Sequence, residues 1–374
     1  MKQNTVPDNY RSAIGKSRHD LTTPALILDL PIARSNIHTM AEYMRGVPAK
    51  LRPHIKVHKS PELARMQMEA GECLGMTTAT VWEAVLMVRG GIDDVLVANA
   101  IVGPQKVRTI AELAREAHIL VAIDNARNAE DLSNAALQAG SVLGVLIDLD
   151  VGMARCGVRS KEEALRLAEH TSKLRGLHLE GMMGYEGHCM LEPDADLRVR
   201  KAHAAMDYLV ETVDFLAQHG FESKIISGGG TGTYNITGAH PRVTELQAGS
   251  YVVMDAFHAQ LIPGFPPALT VLGTVISRHG SRVILDTGRK TVGNELGLPR
   301  LKDVAASTAA IAEEHLLIDV ESGNTLKVGD KAEVISGYGP TTVNLHDVYY
   351  VVEQDVVTDI WPIRARATGL GPYC

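Results

Sequence analysis

The sequence predicts an α/β protein, a (β/α)8 TIM barrel followed by a C-terminal antiparallel β domain. Apolar strand candidates alternate with helix-like segments to give roughly eight strand-then-helix units within about 230 residues, as a parallel barrel requires. Near Val271 this alternation stops, and strand candidates then follow one another with few helices between them. The length of 374 residues also exceeds what one small core needs. We therefore expect an N-terminal arm and strand (1–30), a barrel (31–265) and a β domain (266–374).

The barrel elements follow from hydrophobic periodicity. A polar arm leads into an apolar run at 23–30 that is bounded by proline and predicts a strand. Helical spacing of Ala33, Ile37 and Met40 predicts a helix over 31–47, and residues 51–60 are expected to form the next strand. The same reasoning gives helices at 61–70, 81–90, 130–139 and 162–173, and strands at 73–78, 94–98, 119–123, 142–149, 176–183 and 224–227.

The expected β domain consists of short apolar runs separated by clusters of Gly, Pro and Asp. Such clusters are typical of the connections between antiparallel strands. The runs lie at 272–278, 282–286, 316–319, 331–335, 342–345, 348–354 and 356–363.

Composition narrows the class of partner. A formal net charge of −7 argues against nucleic acid and anionic membrane surfaces, so we expect a small-molecule substrate. The chain has no apolar run of about 18 residues, which argues against a membrane span. Four cysteines without metal-type spacing, and no secretory signal, indicate reduced thiols in a cytoplasmic protein: Cys73, Cys156, Cys189 and Cys374.

Residues 51–60 combine two histidines and two lysines directly behind a proline. If this stretch is a strand, Ile55 and Val57 face a core while His54, Lys56 and His58 share the other face. A lysine that loses solvation on an inward face favours the neutral amine, which is the form that attacks a carbonyl carbon. The alternative is an exposed basic turn whose charges are solvated.

Two further clusters follow predicted strands, where the chemistry of a barrel collects. In residues 148–157 an apolar strand runs into acids, a glycine turn and Arg155. This arginine could clamp a carboxylate or phenolate oxygen, or it could form a structural ion pair with Asp148 or Asp150. In residues 184–188, Tyr185 and His188 could supply acid, base or stacking functions.

Late strand ends carry phosphate-type chemistry. Residues 227–233 contain four glycines with serine and threonine, which predicts an anion cradle of backbone N–H groups and hydroxyls. Glycines also serve tight turns, but residues 244–251 follow at the next strand, and barrel phosphate sites are often built from the loops after strands 7 and 8. A lysine on an early strand together with a late phosphate cradle suggests pyridoxal phosphate.

From about residue 23 to its end, the chain resembles the D-threonine aldolase and D-serine dehydratase family. These are fold-type III pyridoxal-phosphate enzymes related to alanine racemase. The resemblance is carried by motifs at 52–59, 80–84, 150–157, 227–231, 247–251 and 313–315.

The resemblance implies roles for individual residues. Lys56, rather than Lys59, is the Schiff-base lysine, because it occupies the position after Pro-His-X. His315 belongs to the family's Glu-Glu-His segment, and a histidine such as His188 or His315 could serve as the base that a retro-aldol cleavage needs. Gln247 takes the position where the related racemases place an arginine against the pyridine nitrogen. The implied cofactor-binding set is Lys56, Thr80, Arg155, Tyr185, Ser227, Gly230, Thr231, Gln247, Gly249, Ser250 and Tyr251.

The chain departs from the family at its divalent-metal pair. Family members carry His-X-Cys or His-X-Asp immediately before a segment that reads Thr-Thr-Val-Asn-Leu here, at 341–345. This chain has Tyr338 and Pro340 at those two positions. His346 and Asp347 lie just downstream, but adjacent residues of a strand point to opposite faces and make a poor replacement pair. A protein-bound catalytic metal is therefore doubtful.

The resemblance implies a lyase that cleaves a D-β-hydroxy-α-amino acid by retro-aldol reaction to glycine and an aldehyde. Loss of the metal is expected to slow dehydration more than retro-aldol cleavage. Expulsion of hydroxide needs a Lewis acid or a strong proton donor, whereas retro-aldol cleavage needs only a base. The alternatives are a racemase or epimerase, a D-β-hydroxy amino acid dehydratase, and, from another class, a non-catalytic pyridoxal-phosphate carrier. The predicted β domain counts against a carrier. A homodimer is expected by resemblance.

Overall fold

The structure, a computed structural model, describes residues 6–366. Contacts divide the chain into two compact units. The β unit comprises the described residues through Thr39, Val57–Ser60 and the residues from Ser250 onward; the barrel unit comprises Met40–Lys56 and Pro61–Gly249. Cys374 and the outer ends of the predicted arm and β domain lie outside the described residues.

The barrel unit is built on an eight-stranded parallel sheet. Its strand order is β2-β9-β8-β7-β6-β5-β4-β3, and parallel bridges between Leu51 and Cys73 and between His54 and Thr77 join the two ends. The predicted TIM barrel is therefore confirmed. The strands are β2 (Lys50–Leu51), β3 (Met76–Thr78), β4 (Asp94–Val97), β5 (His118–Ile123), β6 (Leu143–Asp148), β7 (Leu177–Gly184), β8 (Ile225–Gly228) and β9 (Glu245–Leu246).

The barrel helices begin where side chains cap exposed backbone N–H groups. Asn125 accepts from Asn128 N at 2.8 Å, and Asp194 accepts from Leu197 N at 2.8 Å. The predicted helices at 61–70, 81–90, 130–139 and 162–173 are confirmed. The helices are α3 (Pro61–Glu69), α4 (Val81–Arg89), α5 (Pro104–Leu113), α6 (Ala126–Ala139), α7 (Lys161–Thr171), α8 (Ala195–Gln218) and α9 (Tyr234–Thr237).

The β unit contains a nine-stranded sheet in which β1 pairs with β10 antiparallel and with β16 parallel. The other pairings of this sheet are antiparallel, which confirms the predicted β domain. The strands are β1 (Ala25–Asp29), β10 (Leu269–His279), β11 (Arg282–Leu285), β12 (Arg300–Leu301), β13 (Ala306–Ile311), β14 (Leu316–Val320), β15 (Lys331–Ile335), β16 (Val348–Glu353) and β17 (Val356–Pro362). Its helices are α1 (Asp8–Arg11), α10 (Ala256–Leu261) and α11 (Gly339–Asn344), and α2 (Leu30–Met44) carries the chain from this unit into the barrel unit.

The prediction of a strand over residues 51–60 is wrong. Strand β2 ends at Leu51, and the chain turns through residues 55–58. Lys59 adopts a left-handed backbone conformation with φ of 50°, which a continuing strand does not allow. The expected alternation of faces fails at His58, which is fully buried and accepts a hydrogen bond from Ser60 N at 3.1 Å.

Two other strand predictions change. The run at 23–30 forms β1 of the β unit, so the eighth barrel strand is instead β9, whose two residues are too short to give an apolar pattern. Residues predicted as a strand at 342–345 belong largely to α11. Pro340 lies in the first turn of this helix, and Thr342 Oγ1 donates to Tyr338 O at 2.7 Å.

Arg52 forms a buried ionic cluster that joins barrel strands. Its Nε and Nη2 donate to the two carboxylate oxygens of Glu245 at 2.8 and 2.9 Å, and Nη1 donates to Asp94. Burial opposes the charge, but the hydrogen bonds and charge of Glu245 hold the pKa of the Arg52 guanidinium above its usual range. The role of Arg52 in its conspicuous sequence motif is therefore structural.

We expect Arg52→Met to destabilise the protein by about 3–5 kcal/mol, because it leaves the buried Glu245 carboxylate without its partner. Chemical denaturation measures the change. Arg127→Met is the matched control, since Arg127 is 81% exposed and its ion pair with Asp131 lies on the surface of α6. Equal stability of the two variants would contradict a stabilising role for the Arg52 cluster.

No helix within residues 6–366 is long and apolar enough to cross a membrane. Cys73, Cys156 and Cys189 carry free thiols.

Candidate active site

The barrel unit brings Lys56, Tyr185 and Arg155 together at the carboxyl ends of its strands. Lys56 Nζ lies 5.7 Å from the centroid of the Tyr185 ring, and the guanidinium carbon of Arg155 lies 5.8 Å from it. Both distances are within reach of a cation–π contact. Three of the predicted site residues, drawn from segments about 100 and 30 positions apart in the sequence, therefore meet around one aromatic ring.

Tyr185 is placed by the end of β7 and by the glycines around it. A Cβ added at Gly187 would lie 2.4 Å from Tyr185 Cε1, and one added at Gly230 would lie 3.3 Å from Cε2. Only glycine at 187 leaves room for the ring, and Gly230 brings the backbone of the glycine-rich loop close to it.

The loop that carries Arg155 is organised by Asp150. Its Oδ1 accepts from Gly152 N and Ala154 N, each at 3.0 Å, and its Oδ2 pairs with Arg159. Of the two acids considered as structural partners of Arg155, Asp150 pairs with Arg159 instead, while the charge of Arg155 acts on Asp148. Arg155 is exposed, with its guanidinium over Tyr185.

Asp148 is the last residue of β6, at the strand end that leads into the Arg155 loop. Burial raises the pKa of its carboxyl to about 7; the charge of Arg155 opposes this rise and the charge of Asp124 adds to it. A carboxyl at a barrel strand end that changes protonation near neutral pH is a group that sequence patterns did not reveal.

We expect Asp148→Asn to make the protein more stable at pH 8 than the parent, with the difference vanishing below pH 4. The raised pKa means that the protonated carboxyl favours the folded state, and this stability is lost as the pH rises from about 3.8 to about 7. Since one pKa unit corresponds to about 1.4 kcal/mol, the gain at pH 8 is at most about 4 kcal/mol. Melting temperatures across this pH range test it, with Asp131→Asn, on the surface of α6, as the control. A parallel pH dependence of parent and Asp148→Asn would contradict the assignment.

The glycine-rich loop after β8 is held from inside the barrel unit. Gly229 has φ of 80°, and a Cβ there would lie 2.2 Å from Leu246 Cδ1, so only glycine fits. Gly229 N donates to Glu186 Oε2 at 3.0 Å, and Gly230 N donates to Thr233 Oγ1 at 3.2 Å. The expectation that the glycines leave their N–H groups uncovered is wrong for these two residues. Thr231 is buried in the same loop.

Two further predicted residues pair with each other beside this loop. Gln247 Nε2 donates to Ser227 Oγ at 2.9 Å, and both side chains are buried. Gly249 approaches the chain near Lys56, since a Cβ at this position would lie 2.2 Å from His54 O. One of the predicted phosphate residues, Gly249, thus lies against the backbone two residues before Lys56.

His188 is the predicted site residue with an unsatisfied polar atom. Its Nδ1 is buried and has no hydrogen-bond partner within residues 6–366, while Nε2 lies 3.6 Å from Cys189 Sγ. A Cβ added at Gly152 would lie 2.8 Å from His188 Cε1, so this glycine makes room for the ring. A buried ring nitrogen without a partner is suited to a proton on a bound molecule.

The remaining predicted residues have other surroundings. Thr80 caps α4 by accepting from Glu83 N at 3.3 Å. In the β unit, Ser250 O accepts from Met254 N at 2.7 Å, and the buried Tyr251 ring packs edge-on against Phe265. His315 is exposed in the turn between β13 and β14.

Tyr338 lies in the β unit and precedes α11. Its ring stacks on His258 with centroids 6.3 Å apart, and His258 Nδ1 lies 2.8 Å from Asp255 Oδ1. Burial, with the charges of Asp255 and Glu295, raises the pKa of Tyr338. No group of three or more His, Cys, Asp or Glu side chains that could hold a metal ion occurs between residues 6 and 366.

His346 and Asp347, which follow the Thr-Thr-Val-Asn-Leu segment, have separate partners in the β unit. His346 Nε2 lies 2.8 Å from Thr291 O, and burial lowers the pKa of its imidazole. Asp347 Oδ2 accepts from Tyr10 OH at 3.2 Å. The argument from strand faces does not apply, because His346 follows a helix.

The residues of the barrel unit fit pyridoxal phosphate. Lys56 offers an amine for the aldehyde, Tyr185 an aromatic face and Arg155 a cation. Gly230 leaves open the space beside this ring, since a Cβ there would lie 3.3 Å from Tyr185 Cε2.

The sequence matches two family models. Residues 28–256 match the N-terminal domain of alanine racemase, and residues 268–352 match a serine dehydratase domain. The chain is 37% identical over 351 residues to D-threonine aldolase from Arthrobacter sp., with 92% of each chain covered. It is 33% identical to 3-hydroxy-D-aspartate aldolase from Paracoccus denitrificans, with 95% of each chain covered.

Comparison with solved structures also finds a D-threonine aldolase. The crystal structure of D-threonine aldolase from Filomicrobium marinum superposes with a TM-score of 0.91 at 33% identity, over 94% of this chain and 98% of that one. With the Lys56 motif and the two matched domains in one chain, the resemblance inferred from the sequence is confirmed. The chain belongs to the D-threonine aldolase and D-serine dehydratase family of alanine racemase-like enzymes.

Proposed function

We propose that the protein is a pyridoxal-phosphate-dependent lyase that cleaves a D-β-hydroxy-α-amino acid to glycine and an aldehyde. The observation that carries the proposal is the meeting of Lys56 Nζ and the Arg155 guanidinium over the ring of Tyr185. The names of the relatives from Arthrobacter and Paracoccus support an aldolase with D-configured substrates.

The cofactor would be held by residues with distinct tasks. Lys56 would carry it, Tyr185 and Arg155 would flank its ring, and Gln247, which donates to Ser227 Oγ, would lie beside the residues assigned to the phosphate. When bound, pyridoxal phosphate supplies an electron sink for the α-carbon of the substrate. We assign the phosphate to Ser227, Gly230, Thr231, Gly249 and Ser250, and further contacts to Thr80 and Tyr251.

We assign the base to His188. Its unpartnered Nδ1 would take the proton from the β-hydroxyl as the Cα–Cβ bond breaks, and the β-carbon would leave as the aldehyde. The electron pair of that bond would stay with the α-carbon, stabilised by the electron sink, until the α-carbon takes a proton and glycine is released. Proton transfer by a positioned histidine is typically worth about 10²–10⁴ in rate. His315 remains the alternative base and would have to act from the β unit, where it is exposed.

We further propose that cleavage does not require a divalent metal. Tyr338 and Pro340 stand where the family resemblance puts the metal pair; a proline side chain offers no ligand atom, and a buried phenol with a raised pKa resists the deprotonation that ligation favours. Retro-aldol cleavage needs only a base at the hydroxyl, so the chemistry is compatible with this loss.

Incubation of the holoenzyme with D-threonine and L-threonine, with and without a chelator, tests the function. We expect glycine and acetaldehyde from the D-isomer only, at the same rate with chelator. No glycine under any condition would contradict the aldolase. A 2-oxo acid product would indicate a dehydratase, and solvent deuterium in both product enantiomers a racemase or epimerase. Absence of any exchange at the α-carbon would indicate a carrier.

We propose that residues 31–265 form the cofactor-binding barrel and residues 266–374 the β domain. We also propose that the protein is cytoplasmic and forms a homodimer. Light scattering after size-exclusion chromatography measures the assembly. A mass of about 80 kDa, twice the 40.3 kDa chain, is expected, and a monomer would contradict the proposal.

A further inference from the structure

Glu186 is a buried carboxylate in the barrel unit that none of the roles above uses. Its side chain is 1% exposed. It accepts three hydrogen bonds from the glycine-rich segment, from Gly229 N at 3.0 Å, Thr233 Oγ1 at 2.7 Å and Thr237 Oγ1 at 2.5 Å. A single side chain therefore holds the loop, the turn after it and helix α9.

The position of Glu186 follows from how β7 and β8 end. Gly184 and Gly228 are paired in parallel register, and a Cβ at Gly228 would lie 2.7 Å from Gly184 O. The two strands therefore finish side by side with no side chain between them. Two residues beyond Gly184, the chain places Glu186 against the backbone of Gly229.

Glu186 also follows Tyr185 directly. Lys56 and Arg155 both lie near the ring of Tyr185. The carboxylate of the next residue, Glu186, accepts a hydrogen bond from the glycine-rich loop. One short segment thus carries both the ring that Lys56 and Arg155 approach and the carboxylate that holds the glycine-rich loop.

A carboxylate beside a loop that binds an anion would be unfavourable by charge alone, because the negative charges of Glu186 and of a phosphate group repel each other. Its three donors account for it: a buried carboxylate accepts short, strong hydrogen bonds that a neutral side chain does not match. The hydrogen bond to Glu186 fixes the left-handed backbone of Gly229. The N–H group of Gly229 therefore donates to Glu186 and not to a ligand.

We propose that Glu186 is a positioning residue that holds the glycine-rich loop in the form that binds the phosphate group of the cofactor. The proposal rests on the proposed function, since it takes the loop as the phosphate site. It makes a specific claim: Glu186 affects the part of cofactor affinity that comes from the phosphate and not the part that comes from the ring and aldehyde.

The test compares binding of pyridoxal 5′-phosphate with binding of pyridoxal, which lacks the phosphate, by titration of the apoenzyme and absorbance of the bound chromophore. For Glu186→Ala we expect the Kd for the phosphate ester to rise about tenfold or more, because a loop N–H and two hydroxyls lose their buried acceptor. The Kd for pyridoxal should stay within about twofold. Glu186→Gln keeps the shape and an acceptor for Gly229 N, so it should restore most of the affinity.

Two further variants keep the test decisive. Glu180→Ala is the control on the preceding strand β7, since Glu180 pairs with His178 and His118 and its loss should leave both affinities unchanged. If Glu186→Ala fails to fold, Thr237→Val removes one of the three donors with little change of shape and should weaken only the phosphate ester.

Equal changes in both affinities, or no change in either, would overturn the role of Glu186 while leaving the proposed function intact. If the parent protein binds neither compound, the proposed function fails and the role of Glu186 fails with it.

Discussion

Replacing Lys56 with alanine is expected to abolish the visible absorbance of bound pyridoxal phosphate and to reduce cleavage of D-threonine to background. The amine that would hold the cofactor aldehyde is removed, and with it the lysine whose Nζ lies 5.7 Å from the centroid of the Tyr185 ring. Absorbance spectra of purified parent and variant, after incubation with excess cofactor and desalting, measure the effect.

Lys59→Ala is the matched control, three residues away in the same motif. Lys59 belongs to the β unit, is 5% exposed and has a left-handed backbone with φ of 50°. We expect this variant to keep the absorbance, with some loss of stability from the buried position. Survival of the band in Lys56→Ala together with its loss in Lys59→Ala would show that the wrong lysine has been assigned.

His188→Ala is expected to have the second largest effect on activity. The substitution removes the proposed proton acceptor but not the group that holds the cofactor, so cleavage should fall by about 10²–10⁴ while the absorbance band remains. Because the loss falls on the chemical step, kcat should drop more than KM rises. Steady-state kinetics with D-threonine and absorbance spectra of the same preparation separate these quantities.

His315→Gln distinguishes the two candidate bases. The exposed position of His315 in a turn of the β unit predicts a small effect in comparison with His188→Ala. If His315→Gln loses activity to the same degree while His188→Ala retains it, the base is His315, and the unsatisfied Nδ1 of His188 has another explanation.

The barrel could be predicted because its long strands are apolar and its helices are periodic. The apolar runs that form β5, β6 and β7 are unmistakable, and the helices beside them have caps such as Asn125 and Ser160. Strands β2 and β9 have only two residues each, so hydrogen bonding to neighbours defines them rather than any pattern. For the same reason β1 could not be assigned to a sheet, because its partners β10 and β16 are more than 200 residues away.

The site was predictable where residue type alone suggests chemistry, as for Lys56, Arg155 and Tyr185. It was not predictable where the role depends on a partner distant in sequence. Arg52 lies in the 52–59 motif that contains the predicted Schiff-base lysine, but its guanidinium pairs with Glu245, almost 200 positions away. Glu186 was in a conspicuous cluster, yet only the register of β7 and β8 reveals that it holds the loop.

The attachment of the cofactor to Lys56 is the claim on which the other roles depend. Borohydride reduction of the holoenzyme fixes the cofactor to its lysine, and peptide mapping by mass spectrometry then identifies that residue. We predict that the modified peptide contains residues 52–59 with the added mass on Lys56. Modification of Lys59 or of any lysine elsewhere in the chain, or no modification at all, would contradict the assignment.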